Sequence, residues 1–131
     1  MEKEQQEIMI KFSMFEQQMQ QIYQQLQMIE QGIIELANLN LGLDDLNGQK
    51  DKEILAPVGR GIFIKTKLLS EELIVDIGSK NFVKKNISDG KKLIQEQIKK
   101  LEEVKEELNN SLGELNDETT KMILEEQGKN K

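Results

Sequence analysis

Residues Ile54 to Ile87 read ILAPVGRGIFIKTKLLSEELIVDIGSKNFVKKNI, and this stretch decides the fold. It holds the only proline of the chain and the runs richest in β-branched and aromatic residues. Ile62 to Leu68 ends in an apolar–polar alternation, the period of a strand with one covered and one wet face. Leu73 to Ile77 is a second such run, and Leu69-Ser70-Glu71-Glu72 between them is short and polar enough to close an antiparallel hairpin. Shorter apolar pieces flank the pair: Ile54-Leu55-Ala56 before Pro57, and Phe82-Val83 after Gly78-Ser79-Lys80-Asn81. The spacing predicts four short strands in two hairpins, with Pro57 at an edge or a strand end because it has no N–H to give a ladder.

Sheets this small are marginal alone and cannot bury two faces, so they need partners. Composition gives them little help. Of 131 residues 32% are charged and 4% aromatic, with no Trp, which leaves little bulky material for a large core. Glutamine crowds the first 31 residues and Glu, Lys and Leu dominate the rest, the usage of long solvated helices. A net charge of -6 and a pI of about 4.8 disfavour a non-specific binder of nucleic acid or of an anionic membrane. The lysine pairs Lys84-Lys85, Lys91-Lys92 and Lys99-Lys100 read as solvated faces, not phosphate sites. The chain has no Cys and no His, which excludes disulfides, thiol nucleophiles, imidazole acid–base chemistry and zinc sites. Gly59-Arg60-Gly61 is not followed by the GK[ST] of a phosphate loop. No enzyme, metal or cofactor is therefore expected. With no apolar run near 18 residues and no basic-then-apolar leader, a soluble cytoplasmic protein is the expectation.

The first arm carries a heptad seam: Ile8, Phe12, Phe15, Met19, Ile22, Leu26, Ile29, Ile33 and Leu36 recur at alternating steps of 4 and 3. Near Asn38 to Gly42 the pattern falters at Asn40, and the presence of Leu39, Leu41, Leu43 and Leu46 predicts that the seam rotates there. Asn47-Gly48 is a helix stop, and Gln49 to Glu53 a charged connector. The second arm starts at Asn86, whose side chain can cap a helix, with Asp89 three residues on. Its seam is Ile87, Ile94, Ile98, Leu101, Leu108, Leu112, Leu115 and Met122, with gaps at Lys91, Lys105 and Thr119; Val104 is expected to share the Lys105 layer. After Glu126 a frayed tail is expected.

Arm one would run about 65 Å and arm two about 60 Å at the rise of an α-helix. Two arms of matched reach on one small sheet are best satisfied as an antiparallel coiled-coil hairpin, with the sheet at one end and both termini at the other. The free tip then brings Ile8 to Met19 beside Leu115 to Leu124. It holds more apolar side chains than a seam can use, since Met9, Ile10, Met14, Ile123 and Leu124 lie off it. Such a Met-rich cluster suits loose contact with many apolar surfaces, and equally it could wrap the coiled-coil end against fraying. The fold class expected is α+β, mostly α: a long antiparallel coiled-coil hairpin with two small β-hairpins at one end. Residues 1–47 and 87–131 are the helical arms and 48–86 the assembly segment, together one domain.

The central motif also resembles the alpha-class subunits of archaeal prefoldins. The resemblance rests on Pro57-Val58-Gly59 opening the first turn, the lysine-bearing strand Ile62 to Leu68, Val75-Asp76-Ile77-Gly78 with Phe82-Val83-Lys84, and the helix start at Asp89 with Leu93-Ile94. It implies an ATP-independent holdase in which two alpha and four beta subunits join their hairpins into an intersubunit β-barrel platform. Non-native polypeptides are held between coiled-coil tips and passed to a group II chaperonin. On that reading Ile54, Ile62, Ile64, Leu68, Leu73, Val75, Ile77 and Phe82 drive subunit assembly, since closing sheets removes their edges. Ile8, Met9, Ile10, Phe12, Met14, Phe15, Met122, Ile123 and Leu124 carry client binding. The rival readings are a self-assembling filament subunit and a structural coiled-coil tether that binds no client.

Overall fold

The computed structural model describes residues 2–129, as two helices with two β-hairpins between them. The elements are α1 (Glu2–Leu46), β1 (Glu53–Gly59), β2 (Ile62–Lys67), β3 (Leu73–Gly78), β4 (Asn81–Lys85) and α2 (Ile87–Lys129). They fall into two compact units, one of residues 2–33 with 100–129 and the other of residues 34–99.

The first unit is an antiparallel helix pair. Ile8, Phe12, Phe15, Met19, Ile22, Leu26, Ile29 and Ile33 of α1 are all half-buried, as are Leu101, Leu108, Leu112, Leu115 and Met122 of α2. Gly32 faces α2, where a Cβ would make ordinary contact with Leu101 Cδ1 at 3.5 Å. The gaps predicted in the second seam are not gaps. Lys105 and Thr119 are half-buried in heptad register. Lys105 lays its stem along the stripe and its Nζ meets Glu30 Oε1 at 3.3 Å, while Val104, expected in that layer, is exposed. Thr119 turns its hydroxyl back to donate to the Leu115 carbonyl at 2.8 Å. Glu126 is half-buried as the next heptad place and α2 is helical as far as Lys129; the last two residues of the tail expected to fray lie outside the described residues.

The second unit contains the only buried apolar side chains among the described residues: Leu43 of α1 with Ile87 and Ile94 of α2, packed by Leu36, Leu46, Leu73 and Ile98. Here the seam of α1 does not rotate. The step pattern continues through half-buried Asn40 to Leu43, leaving Leu39 and Leu41 exposed. Asn40 is a polar seam residue, and its Oδ1 is buried without a hydrogen-bond partner. Such a layer lowers stability and in exchange selects one helix register over others. Lys91 is a polar seam residue of α2 in this unit and pairs with Asp44.

These two ion pairs share one spacing. Fourteen residues, two heptads, separate Glu30 from Asp44 on α1, and the same number separates Lys91 from Lys105 on α2. One step further the series continues as Glu16 and Thr119, so a third rung has its acid and lacks its base. We expect Thr119→Lys to raise the thermal midpoint, adding about 0.5 kcal/mol from helix propensity and about 0.3 kcal/mol from pairing with Glu16. The pairing part disappears in 1 M salt. A gain that is identical at low and high salt overturns the rung.

The helix ends follow their local chemistry. Gly48 adopts a φ of 75° just past Leu46 and stops α1. Asn86 Oδ1 accepts from the Asp89 N–H at 2.7 Å, the cap expected for α2.

The strands pair as β1 with β2 and β3 with β4, both antiparallel, in separate two-stranded sheets. Leu69 to Glu72 thus joins two hairpins and does not close one. The reason lies in where the backbone groups go. Leu68 exchanges hydrogen bonds with the connector, donating to the Lys52 carbonyl and accepting from the Asp51 N–H, so the first ladder continues into residues expected to be loop. Ser70 then turns the chain by accepting from the Glu72 N–H, and the Glu71 carboxylate accepts from the Gly48 N–H beyond α1. The two hairpins are built alike. Each has a bulge before a glycine, at Val58-Gly59 and Ile77-Gly78, and each closes on two residues of positive φ, Arg60-Gly61 and Ser79-Lys80. Gly59 and Gly78, at φ 144° and 120°, hold conformations that a side chain resists.

Candidate functional site

Two surfaces gather the apolar side chains that the fold does not consume. In the first unit, antiparallel pairing brings the start of α1 beside the end of α2. Ile8, Phe12, Phe15 and Met122 are half-buried members of the seam. Met9 and Ile10 are 71% and 60% exposed, Met14 53%, Ile123 45% and Leu124 60%. Shallow grooves run between them, one walled by Ile8, Phe12, Met122 and Ile123, another by Met14, Phe15 and Met122 with Lys11 and Lys121 at its rim. The seam residues form a floor, and the off-seam Met, Ile and Leu side chains stand exposed on a helical surface. That arrangement can grip varied apolar segments weakly and has no group for bond-making chemistry. Among the described residues no cluster of three potential metal ligands exists, and no helix is long and apolar enough to cross a membrane.

The second surface lies on the hairpins. Register places Ile54, Ala56, Ile64 and Thr66 on one face of the first sheet, with Leu55, Pro57, Phe63 and Lys65 on the other. Ile54 is half-buried, whereas Leu55, Val58, Ile62, Phe63 and Ile64 are all exposed, so neither face is covered within the chain. The sequence pattern singled out Ile54, Ile62, Ile64 and Leu68 and missed Leu55, Val58 and Phe63. The adjacent Ile62-Phe63-Ile64 run was the available signal, since three successive apolar residues in a strand occupy both faces.

The second hairpin divides the expected set between its two faces. Leu73, assigned to assembly from its place in an apolar run, is taken up inside the chain. It packs on the Leu43, Ile87 and Ile94 cluster, and a Cβ on Gly90 would fall 2.5 Å from Leu73 Cδ1. The Leu73 side chain thus lies over the bare α-carbon of Gly90 on α2. Val75, also in the expected set, shares that inward face with Val83 and is half-buried. The outward face presents Ile74 and Phe82 instead, 72% and 63% exposed, with Ile77 exposed at the bulge. Ile74 is the residue the sequence pattern missed. Beside it, Leu39, Leu93 and Ile74 line an open groove of about 350 Å³ against the helices.

Comparison with known proteins places this geometry in context. A family model described as prefoldin subunit matches residues 2–131. The alpha subunit of prefoldin from Methanobrevibacter smithii is 37% identical over 98 residues, covering 74% of this chain and 67% of that protein. The alpha subunit from Methanococcus maripaludis is 31% identical over 100 residues, covering 75% and 67%. The match thus spans about two thirds of the length of these curated relatives. Among solved structures, a cryo-EM structure of filamentous PFD from Methanocaldococcus jannaschii superposes with a TM-score of 0.79 over 87% of this chain and 96% of that one. At 21% identity that likeness speaks for the fold.

Proposed function

The chain belongs to the prefoldin family, a family of chaperone subunits and not of enzymes, and from that premise we propose that it is an alpha-class subunit holding non-native polypeptides without nucleotide. The observation that carries the client-binding part is the exposure of Met9, Ile10, Met14, Ile123 and Leu124 around a seam that already uses Ile8, Phe12, Phe15 and Met122. A coiled-coil end that only guarded itself against fraying would turn those side chains inward.

Assembly uses the hairpins. Two-stranded sheets with both edges free and apolar residues on both faces are unstable in water and stable once closed into larger barrels. Ile54, Ile62, Ile64, Leu68, Ile77 and Phe82, with Ile74, Leu55 and Phe63 added, are the residues that beta-class partners cover, in an assembly of two alpha with four beta subunits. Val75 contributes from its half-buried side. The complex works in the cytoplasm, and a group II chaperonin receives the client.

The test is reconstitution with a beta-class subunit, followed by dilution of a chemically unfolded model protein into the complex without nucleotide. A discrete hetero-oligomer that suppresses aggregation is the expected result. An intact complex that suppresses nothing would leave a structural coiled-coil tether. Large assemblies of this chain alone, with no uptake of beta subunits, would overturn the assembly half.

A further inference from the structure

The two candidate surfaces differ in one element, sulfur. The chain has six methionines and no cysteine, and no methionine lies between Met28 and Met122. The apolar side chains of the hairpin surface are therefore all free of sulfur, while Met9 and Met14 stand exposed on the client surface with Met122 half-buried among them. With no thiol to compete, thioether sulfur is the group that two-electron oxidants attack, and access sets the order of attack.

We propose that Met9 and Met14 are oxidation sites whose S-oxygenation by a peroxide-class oxidant releases clients while leaving subunit assembly intact; this rests on the client-binding reading above. The step balances simply. A sulfur lone pair attacks one peroxide oxygen, the O–O bond breaks as the S–O bond forms, and the proton passes to the departing oxygen, which leaves as water. Sulfur loses two electrons and the peroxide gains them. The flexible apolar thioether becomes a polar sulfoxide that prefers water to a client's apolar side chain. The hairpin faces hold nothing that reacts. Met19 and Met122, half-buried in the seam, react more slowly, and Met28, 75% exposed away from the client surface, is oxidised without consequence.

The experiment treats the full chain alone with hydrogen peroxide, quenches it, and reconstitutes it with an untreated beta-class subunit. Peptide mass spectrometry should find the added oxygen on Met9, Met14 and Met28 before Met19 and Met122. Assembly size should be unchanged, and the concentration needed to suppress aggregation should rise roughly threefold to tenfold. Methionine sulfoxide reductase restores activity, and the Met9→Leu, Met14→Leu double variant, measured against its own untreated baseline, shows no further rise in that concentration after peroxide treatment. Full suppression by a complex carrying sulfoxide at Met9 and Met14 overturns the proposal, as does an equal loss in the double variant. If the untreated complex suppresses nothing, the client-binding reading itself falls and takes this inference with it; if only the oxidised comparison fails, that reading stands.

Discussion

Ile94→Ala lowers the stability of the assembled subunit by about 3 kcal/mol, measured as a fall in urea midpoint at fixed subunit concentration. The size follows from how little else is buried. Ile94 is one of three buried apolar side chains among the described residues, and it lies in the cluster where Leu43, Leu73 and Ile98 converge. The three-carbon cavity left by alanine has few neighbours able to collapse into it, because the strand bearing Leu73 is anchored by its own ladder. Total stabilities of domains this size are only about 5–15 kcal/mol, so the loss is a large share. Amides of Leu73 to Ile77 should exchange faster, since the strand loses its seat on α2. Val104→Ala serves as the control, with a change within about 0.5 kcal/mol because Val104 is exposed. A shift under about 1 kcal/mol for Ile94→Ala would show that the cluster is not the core.

Replacing Met9, Ile10, Met14, Ile123 and Leu124 together by Gln abolishes client capture at working concentrations while leaving assembly size unchanged. Glutamine is chosen because its helix propensity is close to that of the residues removed, so the helices are not weakened. The seam residues beneath them remain. If each exposed side chain loses about a quarter of its surface to a bound client, it contributes roughly 0.6 kcal/mol, and five together change affinity on the order of 100-fold or more. Single substitutions should each cost about threefold or less, since many weak contacts share the load. Aggregation assays across a concentration series read both. Retention of suppression by the fivefold variant would move client binding elsewhere on the chain.

Much of the fold is legible in the sequence because it repeats. A seam of alternating 4 and 3 steps leaves few other structures open to the helices, and the length and composition of Ile54 to Ile87 leave few others to the strands. What could not be read was decided by contacts between distant segments. Asn40 looked like a break because it is polar, yet register alone keeps it in the seam. Lys105 outcompeted Val104 because Glu30 waits on the opposite helix. The link at Leu69 to Glu72 is as short as a hairpin turn, and only the pairing of Leu68 with Asp51 and Lys52 shows which strands it separates. Period-two alternation divides β3 into two faces without saying which meets the helix; Gly90 settles that in favour of Leu73. The off-seam apolar residues at the start of α1 and the end of α2 were visible as surplus to the heptad, while client binding by them is our proposal, supported by family membership and by their exposure.

The fourteen-residue spacing of the ion pairs also limits how the helices can slide. A slip of one heptad keeps apolar layers in step but sets Lys91 against Ala37 and Lys105 against Tyr23, forfeiting both pairs. The next register that restores charge, with Lys91 on Glu30 and Lys105 on Glu16, is two heptads away, about 21 Å of travel. Small displacements therefore lose ion pairs before any new pair forms. A helix pair that is pulled open at its free ends, where it has no third rung, closes again in the register it left.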